Sequence, residues 1–154
     1  MDRPETNFIS KIKINPCEAC IAPCCKMVLI DYPPPSTFMD MDYIRFMLGF
    51  PSIRVILRKD GIWQVKIIED CSYLEPDTNK CKVHHTERQP KTCSYYNPYN
   101  CWYKRNFLNN EAPEVLEFNS QKFEKLLSII QFDEEDKISR IPKWEEIKGA
   151  VDKL

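Results

Sequence analysis

Glycine and histidine are scarce in this chain: its 154 residues include three glycines and two histidines. Gly49, Gly61 and Gly149 lie far apart, so no glycine-rich loop brings backbone amides close to a nucleotide or to S-adenosylmethionine. The Cys-x3-Cys-x2-Cys triplet of a radical enzyme is also missing, because Cys24 is followed at once by Cys25. These absences argue against a methylase that acts alone.

Positive charge is not in excess either. The net charge is −1 and the sequence pI is near 6.2, so no overall field attracts nucleic acid or an anionic membrane surface. No run approaches the roughly 18 apolar residues that a membrane span needs, and the first residues lack the apolar segment of a secretory signal. We therefore expect a cytoplasmic protein without a membrane or nucleic-acid partner, whereas a protein partner stays open.

Cysteine is abundant, with eight residues. Half of them fall in the short stretch "CEACIAPCC", and the others are spaced by ten, twelve and eight residues. Thiols stay reduced in the cytoplasm, so we predict metal binding; four disulfides in an oxidising compartment are the alternative. The eight predicted metal ligands are Cys17, Cys20, Cys24, Cys25, Cys71, Cys81, Cys93 and Cys101.

The composition, 43% hydrophobic and 29% charged, is that of a globular protein. We predict a small single α+β domain with a β-hairpin, short helices and long cysteine loops organised by metal. Residues 1–14 are expected to form a mobile arm and residues 15–110 the cysteine-cluster metal-binding domain. Residues 111–154 are expected to form a C-terminal helical extension packed on the same domain.

Apolar patterning predicts the elements of the first half. Residues 26–30, "KMVLI", are predicted to form a short buried strand, and a helix is expected to begin near Ser36 and to stop at Gly49 and Pro51. The residues predicted to face the core from this helix are Phe38, Met41, Ile44 and Leu48.

The stretch "SIRVILRKDGIWQVKII" predicts a β-hairpin. A three-residue loop, residues 59–61, with Gly61 in the left-handed conformation places all apolar partners on one face. The predicted pairs are Leu57 with Trp63, Val55 with Val65, Ile53 with Ile67, Arg54 with Lys66 and Ile56 with Gln64. Arg54, Arg58 and Lys66 then fall on the opposite face, which we predict to be solvated.

Residues 71–107 show little periodicity and are predicted to be loops that a bound metal holds in place. The stretch "SQKFEKLLSIIQF" predicts a helix capped by Ser120, "DEEDK" a linker, and Pro142 the start of a final helix. The apolar faces predicted for these two helices are Phe123, Leu126, Leu127 and Ile130, then Trp144, Ile147, Val151 and Leu154.

Thiolates bind soft or borderline metals, and the spacing of Cys17 and Cys20 lets both chelate one ion. Adjacent side chains diverge, so Cys24 or Cys25 is expected to serve a second ion, bridge two ions or pack. Eight thiolates can supply two four-cysteine sites, one such site with spare thiols, or a cluster of several metals. Zinc and an iron-sulfur cluster both suit four thiolates, so the sequence leaves the metal open.

Other residues near the cysteines have simpler interpretations. His84 and His85 are interpreted as ordinary polar residues, with metal ligation as the alternative. Residues 95–107 combine tyrosine and tryptophan with Lys104 and Arg105, which suits a single-stranded nucleic-acid module. Large aromatics mostly contribute through burial, so we expect these rings to cover the metal loops or to pack on the hairpin face instead.

At these residues the chain resembles the YkgJ-type cysteine-cluster proteins, a family described as a zinc- or iron-chelating domain. The family pattern is Cys-x2-Cys-x3-Cys-Cys, then a cysteine before a leucine, another cysteine, a nearby Arg-Pro and a further cysteine. The resemblance covers residues 15–105, although Gln89 interrupts Arg-Pro and Cys101 has no counterpart. The matching residues are Cys17, Cys20, Cys24 and Cys25, then Cys71 in "CSYL", Cys81 in "CKVH" and Cys93 after "ERQPKTC".

The resemblance implies that these cysteines hold zinc or an iron-sulfur cluster. A related cysteine cluster occurs in flagellin lysine methylases. The alternative that follows is an iron-sulfur-dependent accessory protein or enzyme in protein modification.

Overall fold

The computed structural model describes residues 16–107 and 111–152; the predicted arm, residues 1–14, and Leu154 lie outside these residues. The α+β class is confirmed by its helices and largely antiparallel strands. The strands are β1 Met27–Tyr32, β2 Ile53–Arg58, β3 Trp63–Ile68, β4 Leu74–Glu75, β5 Lys80–Cys81, β6 Asn100–Cys101, β7 Asn106–Phe107, β8 Val115–Phe118, β9 Gln131–Phe132 and β10 Ile138–Arg140. The helices are α1 Phe38–Met47, α2 Lys91–Ser94, α3 Ser120–Ile129 and α4 Trp144–Val151.

A four-stranded antiparallel sheet in the order β1, β3, β2, β8 carries the fold. The predicted hairpin is confirmed in every pair, from Leu57 opposite Trp63 to Ile53 opposite Ile67. Its loop is residues 59–61, and Gly61 has a φ of 89° that L side chains rarely adopt. The turn therefore fixes which face of each strand meets the core.

Helix α1, which follows β1 and precedes β2 in the chain, covers one face of this sheet. A capping box begins it: the Asp40 amide donates to Thr37 Oγ1 at 3.1 Å and the Thr37 amide to Asp40 Oδ2 at 2.9 Å. The helix ends at Met47, as the predicted stop at Gly49 requires. Its predicted core face is buried at Met41, Ile44 and Leu48.

Helices α3 and α4 complete this layer. The cap of α3 is Asn119, whose side chain accepts from the Lys122 amide at 2.9 Å, so the predicted Ser120 cap is one residue late. Helix α4 begins at Trp144, two residues after the predicted Pro142. The core between helices and sheet consists of Met41, Ile44, Leu48, Val55, Leu57, Trp63, Val65, Leu116, Phe118, Phe123, Leu126, Ile147 and Val151.

The opposite face of the sheet is largely covered, so the prediction of a solvated face is wrong at Arg58 and Lys66. The side chains of Arg58 and Lys66 are only 11% and 18% exposed, and Ile56 and Gln64 are buried. The Arg58 guanidinium lies 4.1 Å from the centre of the Trp102 ring. The cysteine-rich segment therefore packs on this face and covers it.

Outside the cysteine-rich segment, three short strands were not predicted. Strand β8 joins the sheet edge beside β2. Helix α3 ends at Ile129, so the last two residues of the predicted helix, Gln131 and Phe132, form β9 instead, which pairs with β10 across the predicted linker. The Asp133 carboxylate accepts from the amides of Glu135 and Lys137, both at 2.9 Å, which makes the acidic stretch a turn. Strand β1 is an edge strand, so Val28 and Ile30 stay 48% exposed instead of buried.

The cysteine-rich residues contain only minimal regular structure, as predicted. They form the two-residue hairpins β4–β5 and β6–β7 and the single turn of α2. No helix among the residues that the structure describes is long and apolar enough to cross a membrane.

Two glycines provide a matched pair that tests the hairpin turn. Gly61→Ala adds a methyl into open space, so it strains only the backbone and should lower the free energy of unfolding by about 1–2 kcal/mol. Gly149→Ala also meets open space but lies inside α4, so it should raise stability by up to about 1 kcal/mol. Urea unfolding of both variants measures these changes. If both substitutions changed the free energy of unfolding in the same direction, the result would contradict the assigned turn.

Glu114 fastens α4 to the sheet. Its carboxylate accepts from Lys59 and Lys148, both at 3.1 Å, and from the Trp144 indole at 3.3 Å. These hydrogen bonds, with Lys148 as the largest contributor, lower the pKa of Glu114 from 4.5 to about 2.

The lowered pKa of Glu114 predicts a pH dependence of stability. The folded state favours the ionised carboxylate, so its contribution is complete above pH 4.5 and is lost as the pH falls towards 2. Glu114→Gln should therefore flatten the loss of melting temperature in this window. Glu134→Gln, an exposed carboxylate of the β9–β10 turn, is the control and should retain the wild-type slope. If melting temperature fell with pH equally in the wild type and both variants, the result would count against this role of Glu114.

Candidate metal centre

The first four cysteines lie in two successive turns before β1. The Cys20 amide donates to the Cys17 carbonyl at 3.3 Å, which closes the first turn. A 3-10 turn, Pro23–Cys25, follows Ala22, whose φ is 55°. This left-handed residue reverses the chain between the two cysteine pairs.

Backbone contacts bring the next cysteines to Cys25. The Cys71 amide donates to the Cys25 carbonyl at 2.6 Å, and the Leu74 amide donates to the Cys71 carbonyl at 2.9 Å. Leu74 then pairs with Cys81 in the β4–β5 hairpin. Cys93 lies in α2, the single turn that follows Pro90.

Cys101 is buried. Its thiol shares a hydrogen bond with the Tyr96 hydroxyl, which also accepts from the Trp102 amide at 3.1 Å. Three residues later in the chain, Lys104 Nζ donates to the Pro16 carbonyl at 3.2 Å. This contact ties the Cys101 segment to the turn that carries Cys17.

The thiols that influence one another's ionisation fall into two groups. Burial raises the pKa of Cys17, with Cys20 and Cys101 as nearby thiols that raise it further and Lys104 as a cation that lowers it. Burial likewise raises the pKa of Cys25, the Cys24 hydrogen bond lowers it, and Cys71, Cys81 and Cys93 raise it. We name Cys17, Cys20, Cys24 and Cys101 the first cysteine group, and Cys25, Cys71, Cys81 and Cys93 the second cysteine group.

Cys24 belongs with the first group but touches the second. The residue is exposed, yet desolvation of its sulfur is the main reason that its thiol pKa rises to about 12. Cys25, Cys101 and Cys20 contribute further, and a side-chain hydrogen bond joins Cys24 to Cys25. The two adjacent cysteines therefore link the two groups.

The sulfurs are near one another but do not form a closed site. Among the described residues, no three Cys, His, Asp or Glu side chains are close enough to hold one metal ion as they are positioned. Four sulfurs around one zinc lie about 4 Å apart, whereas charges affect a pKa over longer distances. The donor types and their grouping fit a thiolate-bound metal, and the sulfurs would have to turn inward to bind it.

Tyr103 lies against both cysteine groups. Burial is the main cause of its raised pKa, and Cys24, Cys101 and Cys93 are all close enough to add to it. A hydrogen bond between its hydroxyl and the backbone of Leu29 holds the ring against β1. Sequence reasoning did not single out Tyr103 among the neighbouring aromatics.

The other aromatic residues cover the sheet, as expected. The Trp102 and Phe107 rings meet edge to face at 4.6 Å, and Tyr96 lies 5.9 Å from Tyr103. Tyr95 is the exception, with 81% of its surface exposed. Rings in mutual contact leave little open surface on which nucleic-acid bases could stack.

The two histidines lie beside the second group but on the surface. Their rings are 3.8 Å apart, and the His84 amide donates to the Cys81 carbonyl at 3.3 Å. Gln89, which separates Arg88 from Pro90, contacts His84 Nδ1 at 3.2 Å and accepts from the His85 amide at 2.8 Å. Gln89 therefore holds this loop, a role that the sequence did not reveal.

The loop cations contact groups other than thiolates. Arg88 lies over the Tyr73 ring, and Arg105 donates to the Pro113 carbonyl. Lys104 differs from these two because its charge lowers the pKa of Cys17.

Tyr103→Phe tests whether the tyrosine hydroxyl holds the cysteine loops on β1. Loss of this hydrogen bond leaves the Leu29 amide without that partner and should cost about 1 kcal/mol of unfolding free energy. Hydrogen exchange followed by mass spectrometry should show faster exchange in the β1 peptide. Tyr95→Phe removes a hydroxyl from an exposed ring and should leave that peptide unchanged. Unaltered β1 exchange in Tyr103→Phe would rule out the contact.

No protein-family model, curated protein or solved structure matches this chain.

Proposed function

We propose that the protein binds metal through its cysteines in two four-thiolate centres, one in each cysteine group. The contacts that bring cysteines from distant parts of the chain together carry this proposal: Cys71 hydrogen-bonds to Cys25, and Lys104 ties the Cys101 segment to the Cys17 turn. The influence of the thiols on one another's pKa agrees with two groups of four. Of the arrangements that the sequence left open, two four-cysteine sites fit this grouping best. The resemblance to YkgJ-type cysteine-cluster proteins points to the same chemistry.

The electrostatics of the groups favour a bound cation. Neighbouring thiols raise the pKa of Cys17, Cys24 and Cys25 beyond the effect of burial, because thiolates at short range repel one another. A divalent metal or an iron-sulfur cluster removes this repulsion and binds the deprotonated form. Bound metal would therefore contribute directly to the stability of the loops.

The cysteine-rich segment lacks a hydrophobic core of its own. Only Leu74, Val83 and Cys101 are buried apolar residues between β3 and β8 among those described. A long segment with so little buried apolar surface does not repay its ordering entropy without cross-links. All eight cysteines are among the described residues and none forms a disulfide, so metal bonds are the cross-links that we propose.

A reducing cytoplasmic location completes the proposal, because oxidation would divert the thiols into disulfides. Four protein thiolates close the coordination of a zinc ion, which makes each centre structural rather than catalytic if zinc is the metal. With iron-sulfur clusters, electron transfer or the accessory role in protein modification implied by the resemblance becomes the next hypothesis.

Single serine substitutions test the assignment of cysteines to centres. We expect anaerobically purified wild-type protein to carry two centres per chain. Cys20→Ser should lose one centre, Cys81→Ser the other, and the double variant both. Native mass spectrometry with metal and acid-labile sulfide analysis counts the centres, and the visible spectrum identifies them: zinc is colourless, whereas cysteine-bound clusters absorb at roughly 400 nm.

Two further variants make the result specific. Cys17→Ser should reproduce the loss in Cys20→Ser because both residues belong to the first group. Ser72→Ala, beside Cys71, should keep both centres. Full metal content in both cysteine variants refutes metal binding by these residues, and loss of all metal in either one indicates a single shared cluster instead.

A further inference from the structure

Helix α1 is apolar on two opposite faces. One face packs into the core through Met41, Ile44 and Leu48. The other carries a second apolar row that reaches solvent, and one apolar face is what a surface helix normally needs. This α1 outer row consists of Met39, Tyr43, Phe46 and Phe50, which are 67%, 55%, 61% and 50% exposed.

The outer row is a continuous surface. The Tyr43 and Phe46 rings lie 6.0 Å apart, and Phe46 meets Phe50 edge to face at 5.5 Å. Met39 stands one helical turn before Tyr43. A contiguous exposed patch of three rings and a methionine is typical of an interaction surface rather than of scattered surface residues.

The spacing of the outer row is symmetric. Its residues are separated by four, three and four positions, so the row reads the same in both directions about a point between Ile44 and Arg45. An antiparallel two-fold contact between two α1 helices therefore brings Tyr43 against the partner's Phe46, and Met39 towards the partner's Phe50. We propose that the α1 outer row is a homodimer interface in which two copies of this chain pair in this way.

Charges beside the row agree with self-association. In the antiparallel pairing, Asp42 flanks the partner's Gly49 and Asp40 flanks the partner's Met47, so no two aspartates meet. Arg45 points away from the row and pairs with Glu124 of its own chain at 2.6 Å. The interface thus has an apolar centre without like-charge repulsion.

The exposed area predicts a weak dimer. Four side chains that are about half exposed offer roughly 100 Å² each, or about 400 Å² per copy. A stable interface usually buries about 800 Å² per partner. Flanking residues add to the apolar centre, and we expect a dissociation constant in the micromolar range.

Sedimentation velocity of metal-loaded protein from about 1 to 200 μM tests the proposal around that affinity. The wild type should move from monomer to dimer with rising concentration. Tyr43→Lys and Phe46→Glu should each weaken the dimer at least about 100-fold, because a charge then faces an aromatic ring across the interface. Ile141→Lys, at a side chain that is 69% exposed outside the row, is the control and should dimerise like the wild type.

Mixing the two variants tests the antiparallel register. In a mixed dimer the ammonium introduced by Tyr43→Lys faces the carboxylate introduced by Phe46→Glu at one contact, while the native Tyr43–Phe46 contact remains at the other. The mixture should therefore form a heterodimer. A wild type that stays monomeric at the highest concentration overturns the proposal and leaves the row for another partner. Dimers that persist in both single variants overturn the interface, and a mixture that stays monomeric overturns the register.

Circular dichroism and metal content verify that each variant is folded. Should Tyr43→Lys or Phe46→Glu fail to fold, Met39→Lys and Phe50→Glu form the equivalent pair at the ends of the row. They face each other in the same pairing, and their single and mixed experiments carry the same expected and contradicting outcomes.

Discussion

The β2–β3 hairpin is the constraint on which the rest of the structure depends, because both of its faces are covered. Its register places Val55, Leu57, Trp63 and Val65 against the helices. The same register puts Ile56, Arg58, Gln64 and Lys66 on the face that receives the cysteine-rich segment. A slip by one residue would exchange these two sets and leave neither layer with a complementary surface.

The two layers are held by different physics. The helical layer buries large apolar side chains, and Phe118 and Phe123, both fully buried, meet at its centre. The cysteine layer buries little and attaches through single contacts, such as Arg58 on Trp102 and Tyr103 on Leu29. In the proposed function, metal supplies to the second layer the cross-linking that apolar packing supplies to the first.

Local patterning explains which parts of the fold could be predicted from sequence. The hairpin, the core face of α1 and the helical face of α3 are encoded by residues close together in the chain. Strand β8 has four residues and pairs with a strand far earlier in the sequence, so its short apolar pattern alone was not a signal. The sheet face that was wrongly predicted to be solvated was missed for the same reason. Residues 102–103 cover this face, and they are distant in sequence from the hairpin.

In the candidate site, too, local features could be predicted from the sequence, whereas contacts between distant residues could not. All eight cysteines were identified as predicted ligands, and their metal binding stays a prediction. Their grouping could not be derived, because spacings of ten, twelve and eight residues allow many loop closures. The contact of Lys104 with Pro16 and that of Cys71 with Cys25 select among them, and both are tertiary contacts.

The adjacent pair Cys24 and Cys25 gives this grouping its physical reason. Both residues end a 3-10 turn, in which successive side chains point about 120° apart. Their thiols hydrogen-bond to each other, and in the proposed centres each thiol would turn towards its own ion. The peptide bond between them would then limit the distance between the two proposed centres. A shift of Cys25 towards Cys71 moves Cys24 relative to Cys101, so the proposed centres are mechanically coupled through this single turn.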